Sequence, residues 1–132
     1  MTAELKIRNG QLELTENNQT PWSIEANSIL LIGEYTTEDG PFVDDYFFIF
    51  GNSDGTLYTV SNDHANDPTL WIELSNILNS HVKPELVNST HFNSRIMFPE
   101  NLIGEPLFNL ITSGSGEFEL SEQASAQLKN GL

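Results

Sequence analysis

Five carboxylates, Glu34, Glu38, Asp39, Asp44 and Asp45, fall within the stretch GEYTTEDGPFVDDYFFIF, from Gly33 to Phe50, among aromatic and apolar neighbours and without a cation. Carboxylates gathered this way can hold a metal ion, share a proton as an acid and base pair, or receive the Lys and Arg side chains of a partner. If the four residues Glu38 to Pro41 form the turn, Thr37 faces Phe42, Glu34 faces Asp45 and Tyr35 faces Asp44. Directly opposed residues hold their Cβ atoms about 4.5–5.5 Å apart, and like charges there repel. In a dry setting one of Glu34 and Asp45 must then keep its proton, unless a cation or a partner's basic side chain relieves the pair. A glycosidase uses two carboxyl groups at a comparable separation, but a hairpin end supplies no sugar cleft. A slip of one residue places Tyr46 opposite Glu34 and turns both acids toward water. The cluster is then a solvated rim, which is the simpler reading.

Other chemistry is poorly represented. The chain has no cysteine, so thiolate nucleophiles, thiolate metal ligands and disulfides are excluded. Asn52-Ser53-Asp54-Gly55 resembles part of a calcium loop, yet aligning Gly55 with the invariant glycine puts Phe50 at the first ligand position and Ser61 at the twelfth. It is a turn. His64, His81 and His91 are too scattered for a zinc motif, and His81 suits the negative end of a helix dipole. No G-x-S-x-G elbow and no glycine-rich phosphate loop is present. The sequence therefore points to no catalytic residue, no metal and no cofactor.

Charge is the most unusual property. The formal net charge is −14, and the only cations are Lys6, Arg8, Lys83, Arg95 and Lys129. Positions 9–82 hold twelve acids and no Lys or Arg. Such a field repels nucleic acid and anionic membrane and steers basic proteins or cations inward. Solubility alone also explains it. The first residues, MTAELKIRNG, lack the order of a signal peptide, and no apolar run is long enough to span a bilayer. A soluble cytoplasmic chain is expected.

The carboxylates need a scaffold, and the length of 132 residues with 38% hydrophobic content predicts one domain spanning 1–132, with strands and a helix over 1–82 and further strands over 83–132. Asn9-Gly10 predicts a type I′ hairpin with Ile7 opposite Leu12, Leu5 opposite Leu14 and Lys6 opposite Glu13. After a polar turn over Thr15 to Pro21, Trp22, Ile24 and Ala26 alternate as a short strand. Ser28 to Thr37, Phe42 to Phe50 and Thr56 to Ser61 then make a three-stranded meander. Its middle strand is apolar on both faces, with Phe42, Tyr46, Phe48 and Phe50 on one and Val43, Phe47 and Ile49 on the other, so both must be covered. Asp67 followed by Pro68 starts a helix running to about Ser80, with Leu70, Leu74, Ile77, Leu78 and His81 in a stripe beside Trp71. Strands are expected over Thr90 to Phe98, Pro106 to Thr112 and Gly116 to Leu120, with Ser121 capping a short C-terminal helix through Leu128. The fold class is α+β: a mainly antiparallel meander, roll or barrel, with a pleckstrin-homology-like order of elements, packed against one amphipathic helix.

The segments ILLIGEYTTEDGPFVDDYFFIF and STHFNSRIMFPENLIGEPLFNL resemble segments of small bacterial proteins to which no activity is assigned. That likeness implies a small bacterial soluble domain and no chemistry. The expected function is a non-enzymatic binding domain whose acidic face, centred on Glu34, Glu38, Asp39, Asp44 and Asp45, engages a basic protein, as an immunity or inhibitor protein does. The alternatives are a small hydrolase or cation-dependent enzyme using Glu34 and Asp45, and a structural module of a larger assembly. The sequence leaves the oligomeric state open.

Overall fold

Asn9 and Gly10 adopt φ of 55° and 77°, the left-handed pair that a type I′ turn demands. The turn joins β1 (Ala3–Arg8) to β2 (Gln11–Glu16) in the expected register, with Leu5 opposite Leu14, Lys6 opposite Glu13 and Ile7 opposite Leu12. Glu13 lies 3.1 Å from its diagonal neighbour Arg8, without the alignment of a hydrogen bond. The computed structural model describes residues 3–17, 19–36, 46–52, 55–65, 67–85, 93–110 and 118–129.

β3 (Gln19–Glu25) pairs with β2 and completes a three-stranded sheet, β1-β2-β3. The polar turn is tighter than expected over Thr15 to Pro21, because Asn17 takes a φ of 53° and lets β2 continue to Glu16. A second sheet has the order β6-β5-β4-β7, from β4 (Ile29–Thr36), β5 (Tyr46–Asn52), β6 (Leu57–Ser61) and β7 (Asn93–Phe98). The outer edge of β7 is covered by a returning loop, where Ile96 N–H donates to the Glu105 carbonyl (2.8 Å) and Gly104 N–H to the Ile96 carbonyl (3.0 Å). Gly104 has a φ of 90°, which a side chain would resist. β8 (Phe108–Leu110) and β9 (Phe118–Leu120) form a short separate pair. The expected strand residues 90–92, 111, 112, 116 and 117 lie outside the described residues, as do Phe42 and Val43. Among the described residues the architecture is α+β with open antiparallel sheets.

α1 (Pro68–Leu78) begins where Asp67 Oδ1 accepts from the Thr69 N–H at 2.9 Å. It stops short of Ser80 because Asn79 is left-handed, with a φ of 51°. The early stop corrects the expected stripe: Leu70, Trp71 and Leu74 are buried, but Ile77 is 37% exposed and His81 lies beyond the helix, exposed. Replacing Asp67 with Ala leaves the first turn without its acceptor and is expected to cost about 1 kcal/mol in chemical denaturation. α2 (Glu122–Lys129) starts at Ser121, whose Oγ accepts from Ala124 N–H at 3.2 Å. No helix among the described residues is long and apolar enough to cross a membrane.

Both faces of the central sheet are covered, as its apolar middle strand requires. On one face Phe48 and Phe50 pack with Ile32, with Leu5, Leu12 and Ile24 of the first sheet, and with Leu70, Trp71 and Leu74 of α1. On the other, Leu31, Ile49 and Ile96 meet Leu107 and the Ala124 and Leu128 side of α2. Burying each large apolar side chain contributes about 1.5–3 kcal/mol.

Candidate functional site

Glu34 stands in the middle of β4, and the register seats it between Phe48 of β5 and Arg95 of β7. It is 0% exposed. A buried carboxylate must be paired and hydrogen-bonded to persist as an ion, and Glu34 is surrounded accordingly. The Tyr46 hydroxyl donates to Oε1 and the Arg95 guanidinium to Oε2. The backbone N–H of Glu85 approaches both oxygens at 3.1 Å. Arg95 is itself nearly covered, its side chain 13% exposed, and it also pairs with the Glu85 carboxylate at 2.9 Å and donates to the Lys83 carbonyl at 3.3 Å.

This arrangement clamps the segment after α1 onto the sheet. Its chemistry is that of a fixed ion pair, with both carboxylate oxygens already engaged. On the opposite face of β4, Tyr35 stacks on Phe47 with ring centroids 5.2 Å apart and meets Phe108 edge-on at 5.0 Å. Burial pushes the Tyr35 phenol above its ordinary value.

The expected opposition of Glu34 and Asp45 is corrected. Glu34 faces Phe48, Gly33 faces Ile49 and Thr36 faces Tyr46, so the hairpin pairs three residues away from the four-residue-turn register. The one-residue slip is likewise not the register found. The physical reason is charge: the observed pairing places an aromatic residue opposite Glu34 on one side and a cation on the other, where the expected one opposed two carboxylates. Glu38, Asp39, Asp44 and Asp45 lie outside the described residues, between the paired strand ends Thr36 and Tyr46. Glu34 is thus set apart from any surface role as a free carboxylate.

Arg95, Tyr46 and Glu85 are the residues that sequence reasoning missed. A signal existed in Ser94-Arg95-Ile96-Met97-Phe98, where a lone cation inside an apolar strand calls for a buried anion on the neighbouring strand. Elsewhere Glu4, Glu25, Asp63, Asp67, Glu73, Glu85, Glu100, Glu105 and Glu122 are exposed, against the exposed cations Arg8, Lys83 and Lys129. Compared with known proteins, the chain matches no family model, no curated protein and no solved structure.

Proposed function

We propose that the chain is a non-enzymatic binding domain that meets a basic protein through an acidic surface centred on Glu38, Asp39, Asp44 and Asp45. The observation that carries this reading is the charge imbalance: a net charge of −14, with one of only five cations, Arg95, spent on an interior carboxylate. The described surface is correspondingly acidic. The four acids fall in sequence between Thr36 and Tyr46, two strand ends that are paired in the central sheet. An inhibitor of a basic protein, acting in the cytoplasm, is the concrete form of the proposal. Nucleic acid and anionic membranes are disfavoured partners for the same electrostatic reason.

Acidic complementarity acts chiefly on association rate and specificity. Immobilised chain should recover a basic partner at low salt and release it at high salt, with association slowed about tenfold or more when Glu38, Asp39, Asp44 and Asp45 are all changed to Lys. Binding indifferent to both salt and charge reversal would overturn the proposal.

A further inference from the structure

We infer that the groove between α1 and the segment that follows it is a binding site for a small apolar molecule bearing one carboxylate, such as a medium-chain fatty acid. The groove has a volume of about 750 Å³, within the range of about 300–1,000 Å³ common for small-ligand sites. Its lining combines the apolar Trp71, Ile72, Val82 and Pro84 with the polar Asn62, Ser75 and Asn76 and the basic types His81 and Lys83. Ile72 is 62% exposed on the solvent side of α1, an apolar surface that the fold itself leaves uncovered.

Both walls are fixed before any ligand arrives. Val82 N–H donates to Ser75 Oγ at 3.0 Å, and that hydroxyl lies 2.7 Å from the Trp71 carbonyl, so the following segment is tied to the helix. Three residues on, Glu85 N–H is held by Glu34, and the Lys83 carbonyl accepts from Arg95 at 3.3 Å. A groove pinned from two directions loses little entropy on filling.

Charge selects the occupant. No acidic side chain lines the groove among the described residues, and the charged groups that do are basic types, in a chain with nineteen acids and five Lys and Arg. Lys83 is exposed and has no ion pair among the described residues. A carboxylate beside Lys83 gains a local partner, while the distant acids are screened beyond about 8 Å at physiological salt.

The test is calorimetric titration of the full chain at physiological salt with decanoate, decanol and decylamine. Decanoate is expected to bind saturably with one-to-one stoichiometry, at least about tenfold tighter than the other two. Lys83→Glu should weaken decanoate binding about tenfold or more, and Ile72→Glu should abolish it. Both positions are exposed, and circular dichroism checks that each variant folds. Absence of saturable binding, equal affinity for the three amphiphiles, or decanoate affinity unchanged in Lys83→Glu would each overturn the inference.

Discussion

Replacing Arg95 with Ala is expected to cost about 3–5 kcal/mol of folding stability, read from the midpoint and slope of urea unfolding. The loss far exceeds that of an ordinary ion pair, which contributes about 0–1 kcal/mol at a surface, because of what is left behind. Glu34 is 0% exposed and cannot recover its hydration when the guanidinium goes. The Tyr46 hydroxyl and the Glu85 N–H remain, but neither brings a full charge. The same truncation frees the Glu85 carboxylate and the Lys83 carbonyl from Arg95. Adding Glu34→Gln removes the stranded charge while keeping the side chain's shape, so the double variant should recover a substantial part of the loss. A cost below about 1 kcal/mol for Arg95→Ala, or no recovery in the double variant, would show that the pair behaves as a surface contact.

Gly33→Ala should cost about 1–3 kcal/mol by overpacking the other face of the central sheet. A Cβ on Gly33 would lie 2.5 Å from Leu107 Cδ2, 2.6 Å from Cδ1 and 2.9 Å from Cγ. The leucine tip would have to swing away, yet Leu107 is 0% exposed and enclosed with Leu31, Ile49 and Ile96. Backbone freedom is not the reason for glycine here; close approach is. The decisive measurement is a double-mutant cycle with Leu107→Ala, in which the two changes together should cost less than the sum of their separate costs. Strict additivity would mean that the side chains do not compete for the same space.

These two sites divide what was legible in the sequence from what was not. The Asn9-Gly10 hairpin, the Asp67-Pro68 helix start and the Ser121 cap rest on contacts within a few residues, where turn and capping chemistry act directly. The double coverage of β5 was legible too, because Tyr46, Phe48 and Phe50 share one face and Ile49 serves the other. The pairing of β4 with β7 was not. It joins Glu34 to a residue on a strand reached only after β5, β6 and α1 have intervened, and no local rule specifies that partner. The hairpin register failed for the same cause, since a turn built from Glu38 to Pro41 is locally sound and the counter-charge that a buried Glu34 needs comes from the distant Arg95. The acidic cluster therefore separated into a structural member, Glu34, and four residues whose role rests on the charge of the chain.

The loop that lies along β7 has a consequence for how this protein behaves in a crowded solution. Ile96 already exchanges hydrogen bonds with Gly104 and Glu105, so a neighbouring strand would meet an occupied position there, and β6 is the strand at the other end of the sheet. Backbone groups already paired at a sheet edge disfavour the addition of a further strand there. Edge-to-edge association through β7 is hindered at this position, in addition to the repulsion between chains that each carry fourteen net negative charges.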